Sequence, residues 1–377
     1  MFALFFLIIF GAMTAYVFLT LRRALPGPAW ARALPALPLL SLLLIPLLRW
    51  TGHADRLPPW ALVTLFTGMV WVFWFAVVAL TCHGWNLAAT LARCCGVRKL
   101  KPLRPATVAL LAAAYLVVGT GVGYVEAGRV RLREIRLEVP RLPAGRSELR
   151  IVHLSDLHAG FASRSAAFAG TLAAIHRARP DLVVSSGDLF DPPDSRLPEM
   201  TRALAAIQPP LGKYAVFGNH EFYQPPGEAE RLATEAGFIL LRNTVRSPQP
   251  GLELIGVDDP AGWRTGQAPQ VSLDRVLRQG HPQNLRVLLQ HQPKTDPDAI
   301  PEVDLQLSGH THNGQVFPFG LVVRQLSPGP YGKLVDTGGR LRRHISCGAG
   351  TWGTPLRFFA PPEVTLFVIS APNGAVQ

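Results

Sequence analysis

Acidic residues are scarce in this chain, and they are missing altogether where it is most apolar. Asp and Glu number 25 against 37 Lys and Arg, giving a net charge of +12. None falls inside the apolar runs 2–21, 34–48, 60–81 and 107–125. A transporter or proton relay needs ionisable groups within its spans, so those runs read as plain anchors. Cysteine is nearly as rare, with only Cys82, Cys94, Cys95 and Cys347. A single cysteine beyond residue 125 excludes a disulfide-stapled domain, and no metal-type cysteine spacing occurs. Cys94 and Cys95 are adjacent and close to an apolar run, which suits inert thiols or reversible acylation. Also missing from the C-terminal two thirds is a basic cluster interleaved with aromatics, which argues against nucleic acid as a partner and against a nuclease.

Apolar residues, in contrast, make up 49% of the chain and concentrate before Val125. The run from Phe2 to Leu21 is closed by Arg22 and Arg23, lacks a basic start and is followed by no small-residue cleavage site, so it reads as a retained helix rather than a signal peptide. Leu34 to Leu48 carries Pro35, Pro38 and Pro46 and is the weakest span. Trp60 to Thr81 and Thr107 to Val125 complete a set of about four. Trp30, Trp50, Trp60 and Trp85 lie near the ends, as interfacial belts do. The expected division is a multi-pass α-helical membrane region over residues 1–126 and a globular domain over 127–377. Arg22, Arg23 and Arg32 sit in the first loop, and Arg93, Arg98, Lys99, Lys101 and Arg104 in the third. The positive-inside bias then places both loops in the cytoplasm and the globular domain outside it. Arg129, Arg131, Arg133 and Arg136 pull the other way, but they read as strand residues of a large domain.

Beyond residue 127 the pattern changes. Val130 to Val139 alternates apolar and charged residues, the period of a strand covered on one face. Short apolar runs follow, each ending in a polar cluster, with helical stretches such as Ser165 to Arg179 and Glu228 to Ala236 between them. Strands alternating with helices predict a layered α/β domain, in which ligands bind beyond the strand ends.

Five clusters stand at those ends. They are Asp156-Leu157-His158, Gly187-Asp188 with Asp191, Gly218-Asn219-His220-Glu221, His291, and Gly309-His310-Thr311-His312. Each alone has an ordinary explanation as a cap, turn or solvated loop. Together they load five strand ends with Asp, Asn and His, which packing does not require. Mixed carboxylate and imidazole donors suit Mn, Fe or Zn. Their number exceeds what one ion takes and points to two divalent metal ions. His281 lies near His291 but follows no strand, so it is set aside.

In order and spacing these clusters resemble the five motifs of the calcineurin-like metallophosphoesterases, over about Leu149 to Ile369. The segment Ser346-Cys347-Gly348-Ala349-Gly350, with Pro355-Leu356-Arg357 and Pro362-Glu363-Val364, is similar to the membrane-associated, YkuE-like branch. The resemblance implies a four-layer α/β/β/α sandwich with two inner sheets. It implies that Asp156, His158 and His312 hold one metal, that Asn219, His291 and His310 hold the other, and that Asp188 bridges them. His220 is then proton donor or phosphate contact, oriented by Glu221, and Asp191 supports the ligands from behind. Asn313-Gly314-Gln315 floors the pocket, and Arg357 is either a phosphate contact or a surface residue. The implied activity is hydrolysis of phosphomonoester, phosphodiester or pyrophosphate bonds by a metal-bridged hydroxide, between metals about 3.5–4 Å apart, with no covalent enzyme intermediate. The substrate is a phosphate ester that can be lipid-linked, such as a nucleotide-activated acyl sugar. The competing reading is a non-catalytic, metal-bound membrane receptor or scaffold.

Overall fold

The first apolar run forms helix α1 (Phe2–Ala24), which ends on Arg22 and Arg23. Helix α2 (Pro59–Cys94) is 36 residues long and outruns the expected 60–81. The helix runs on through Cys82-His83-Gly84-Trp85-Asn86 into the helix-forming 87–93 segment and stops only where Cys95 caps it and Gly96 takes a φ of +87°. Helix α3 (Pro105–Ala127) opens on a proline, a residue preorganised for a first helical turn. Phe10, Val17, Phe75, Ala79, Val108 and Ala112 bring the three helices together in one apolar cluster. The structure, a computed structural model, describes the chain except residues 1, 30, 34, 37–38, 40–47, 49–56, 98, 161, 192–193, 226, 328 and 373–377. Most of the expected second span, 34–48, therefore lies outside the described residues. Among the described residues, α1, α2 and α3 are the helices long and apolar enough to cross a membrane.

By its internal contacts the chain divides into residues 1–123 and residues 124–377. The second unit contains two six-stranded sheets. Its strands are β1 (Arg131–Glu138), β2 (Glu148–Leu154), β3 (Ala159–Gly160), β4 (Leu182–Ser185), β5 (Phe190–Asp191), β6 (Lys213–Ala215), β7 (Ile239–Leu240), β8 (Thr244–Gln249), β9 (Leu252–Gly256), β10 (Leu285–Leu289), β11 (Leu305–Ser308), β12 (Leu334–Asp336), β13 (Arg342–Ile345) and β14 (Glu363–Ser370). One sheet runs β1-β14-β2-β4-β6-β7 and the other β12-β13-β11-β10-β9-β8. Within them β2, β4, β6 and β7 are parallel, as are β13, β11, β10 and β9. Parallel neighbours need crossovers, which helices α4 (Ser165–Ala178), α5 (Leu197–Ala205) and α6 (Glu228–Glu235) supply in the first half. Helices α7 (Ala261–Arg264), α8 (Leu273–Leu277), α9 (Ala299–Glu302) and α10 (Phe319–Leu326) belong to the second.

Alternation of side chains along each strand builds the layers. On β2, Leu149 and Ile151 face the other sheet, while Val152 and Leu154 face α4, α5 and α6. On β14, Phe367 and Ile369 turn inward and Leu366 and Val368 turn outward. The second sheet follows the same rule. Leu285, Val287 and Leu289 of β10 meet the first sheet, whereas Leu288 packs with Val276 and Leu277 of α8. The result is a four-layer α/β/β/α sandwich. Each fully buried leucine in the sheet-to-sheet layer contributes about 1.5–3 kcal/mol over an exposed one.

Candidate metal centre

Five parallel strands aim their C-terminal ends at one edge of the sandwich. Asp156 and His158 follow β2, Asp188 follows β4, and Asn219 and His220 follow β6. From the other sheet His291 follows β10, and His310 and His312 follow β11. The chain must turn sharply at these points to point several side chains inward. Asp156, His158, Asp188, His310 and His312 accordingly take φ values of 51°, 43°, 55°, 71° and 49°. Non-glycine residues rarely adopt this left-handed region, and such strain concentrates at functional sites. Close approach also restricts two glycines. A Cβ on Gly218 would lie 2.2 Å from Asp188 Oδ1, and one on Gly309 would lie 1.8 Å from Ser155 Oγ.

Asp156, His158 and His312 bring ligand atoms within 4.8 Å of one another, and so do Asp188, His291 and His310. Nε2 of His158 lies 3.1 Å from Nε2 of His312 and 3.6 Å from Asp188 Oδ2. Nε2 of His291 lies 3.2 Å from Asp188 Oδ2 and 3.1 Å from Asn219 Oδ1, which is 2.8 Å from His310 Nδ1. The outward nitrogens set the tautomers of two of these rings. Nδ1–H of His158 donates to Asp191 at 2.9 Å, and Nδ1–H of His291 donates to the Ser186 carbonyl at 2.9 Å. Their Nε2 lone pairs thus face a carboxylate and other acceptors at hydrogen-bonding distance. Converging lone pairs repel unless a cation sits between them, and this donor set fits two divalent ions.

The electrostatics agree. Burial alone would lower His158, but Asp191, Asp188 and Asp156 hold it up at about 9. Burial is likewise overcome at His291, which Asp188 and Asp156 hold at about 10. Asp188 is driven well below the usual carboxylate range, against its own burial, by His291, His220 and His158. The cavity is a place of negative potential that demands positive charge.

His220 stands beside this centre. Its Nδ1 is 2.8 Å from Asp191 Oδ1, so Asp191 braces His220 with one oxygen and His158 with the other. The expectation that Glu221 orients His220 is corrected. The Glu221 carboxylate accepts from the backbone N–H groups of Asp188, Leu189 and Gly218, at 3.0, 2.7 and 2.7 Å, and stitches the β4 and β6 loops together. Burial and the nearby Asp188 raise it to about 7. Neighbours in sequence turned in different directions here because His220 is the N-cap of the 3-10 turn Glu221–Tyr223.

Arg357 is neither a phosphate contact nor a surface residue. Fully buried, its guanidinium donates to the carbonyls of His312 at 3.0 Å, Cys347 at 2.6 Å and Gly350 at 2.9 Å. It also approaches His312 Nδ1 at 3.2 Å, placing a fixed cation behind that ring. Nor does Gln315 floor the pocket. Its amide bonds the backbone of Trp352 and Thr354, clamping the 352–354 loop to the His312 turn. Sequence inspection also missed a hydroxyl chain behind Asp156. Ser155 Oγ donates to Asp156 Oδ2 at 2.5 Å, Ser186 Oγ donates to Ser155 Oγ at 2.8 Å, and His153 Nε2 lies 2.9 Å from Ser186 Oγ. Trp352 and Tyr223 flank the His220 ring, with centroids 5.9 and 5.8 Å away. His281 stays outside the centre, where its backbone N–H donates to Glu253 at 2.8 Å. Cys347 is buried behind the site, and burial, with Glu363, pushes its thiol up to about 12.

Residues 149–314 match the calcineurin-like phosphoesterase family. An uncharacterized metallophosphoesterase of Aquifex aeolicus is 32% identical over 273 residues, covering 70% of this chain and 97% of that protein. The chain belongs to the calcineurin-like phosphoesterase family. The uncharacterized metallophosphoesterase YkuE of Bacillus subtilis is 29% identical over 282 residues, covering 70% of this chain and 94% of that one. A transmembrane protein with metallophosphoesterase domain from Danio rerio is 30% identical over 278 residues, and there the match spans 63% of the relative.

Proposed function

We propose that this protein is a membrane-anchored phosphoesterase that uses two divalent ions to hydrolyse phosphomonoester, phosphodiester or pyrophosphate bonds. The observation that carries the reading is the inward convergence of imidazole and carboxylate lone pairs from both sheets. Asp156, His158 and His312 would hold one ion, Asn219, His291 and His310 the other, and Asp188 would serve both. The donor set fits Mn, Fe or Zn. Such ions supply Lewis-acid charge to the phosphoryl oxygens and a strong oxygen nucleophile at neutral pH.

The residues account for the rest. Asp191 accepts from Nδ1–H of His220, and the doubly protonated ring gives its Nε2 proton to the leaving oxygen. Glu221 holds the Asp188 and Gly218 loops at one spacing. Trp352 and Tyr223 confine the His220 ring. The three apolar helices, with the expected span over 34–48, would anchor the chain; residues 127–377 would be the catalytic domain, which four spans with both basic loops in the cytoplasm would put outside it.

The test uses the full chain, purified in detergent, loaded with Mn, Fe or Zn, and assayed on phosphomonoesters, phosphodiesters and pyrophosphates. Turnover that needs metal and disappears in Asp188→Asn, together with loss of bound metal, is the expected result. Near-normal activity in that variant would overturn the two-ion assignment.

A further inference from the structure

Helix α10 begins a few residues after His312, and Gly314 seats it against the metal-binding turn. A Cβ on Gly314 would lie 2.3 Å from the Cα of Gly320. Eight residues long, the helix has no buried residue. Isolated helices shorter than about 12–15 residues are marginal in water, so surroundings normally stabilise them. Yet Phe319, Val322, Val323 and Leu326 fall at i, i+3, i+4 and i+7, an apolar stripe along one face. Leu326 is 81% exposed, and the neighbouring Phe359 is 68% exposed. Phe359 packs edge-on against Phe317, with ring centroids 5.8 Å apart, and extends the apolar face toward the Trp352 loop that borders His220.

Exposed basic residues lie on and just after the helix, at Arg324 and Lys333, and the face meets the end of α3, where Glu126 accepts from the Phe359 N–H at 2.9 Å. Basic residues beside an exposed amphipathic helix fit an anionic lipid surface. The chain also brings such a surface with it, because residues 128–130 alone separate the end of α3 from the start of β1. A tether this short keeps the local concentration of bilayer high.

We propose that α10, with Phe317 and Phe359, is an interfacial membrane-docking surface that turns the metal centre toward an anionic bilayer. The substrate class that follows is a phosphoester borne by a membrane lipid. This rests on the membrane-anchored reading above, and its test needs no turnover, so failure of the activity assay and failure of the docking surface are separate results.

Hydrogen exchange is measured on the full chain, one copy per nanodisc, in phosphatidylglycerol–phosphatidylcholine discs and in discs of phosphatidylcholine alone. Backbone amides of 319–327 are expected to exchange at least about tenfold more slowly in the anionic discs. Phe319→Glu combined with Leu326→Glu should abolish that difference while leaving exchange of β10 and β11 unchanged. Equal exchange in both discs, or protection that survives the double substitution, overturns the proposal. Protection seen only in discs holding two copies also overturns it and assigns the face to a second copy of the chain.

Discussion

One oxygen of Asp191 lies 2.8 Å from Nδ1 of His220. A carboxylate in that position accepts the Nδ1–H and leaves the far nitrogen to handle a proton. Asp191→Asn replaces the charged acceptor with a neutral amide and so withdraws support from the doubly protonated ring, the form with an Nε2 proton to give. Turnover should fall by about 10²–10⁴-fold for an alkyl leaving group and far less for nitrophenolate, which needs no proton. His220→Ala should show the same split. Equal losses on both substrates would assign the pair to site structure.

Arg357 ties three loop carbonyls and His312 into one unit. Lysine is a point charge and cannot fork to these acceptors. Arg357→Lys should therefore lower bound metal from two ions to one per chain, with the His291–His310 side retained. Metal analysis after dialysis measures this, and full occupancy in the variant would show that His312 needs no support from behind.

His153 is fully buried beside His344, and burial lowers it to about 3. The unfolded chain takes up a proton near pH 6.5 that the folded one refuses until about 3. Unfolding is thus favoured as pH falls through that window, and the group contributes nothing to pH dependence above it. With metal chelated, His153→Phe should flatten the acid slope of stability by up to about 1.4 kcal/mol per pH unit. Parallel slopes in chemical denaturation at pH 6.5, 5.5 and 4.5 would contradict the assignment.

Four spans with both basic loops in the cytoplasm predict which side of the membrane the domain occupies. Reporters that work only in the cytoplasm or only outside it, fused after Gln377, should report an outside location. Cytoplasmic activity would reverse the topology and move the substrate to the inner surface. Residues 34–48 decide the count of spans, and they lie largely outside the described residues.

The clustering of the candidate ligands could be read from sequence because each sits just after its strand, where apolar run and polar cluster are contiguous. The layers were readable for the same reason, since alternation is a local signal. Arg357 was not readable. A lone arginine carries no mark of burial, and its acceptors are carbonyls contributed by residues 312, 347 and 350. Glu221 was misread because adjacency to His220 says nothing about where a carboxylate points once a 3-10 turn begins between them. The extra length of α2 is not legible because both hydropathy and helix propensity drop over Cys82-His83-Gly84-Trp85-Asn86, although the helix continues to Cys94.

Strand β14 lies between β1 and β2, inside the first sheet, although it follows every ligand position in the chain. A ribosome therefore finishes all seven candidate ligands before it makes the strand that completes their scaffold. A nascent chain arrested at residue 350 would carry every candidate metal-binding side chain and half-built sheets to hold them. Function in this protein should appear after synthesis has passed β14, and truncations upstream of Glu363 should yield chains that are inserted yet inert.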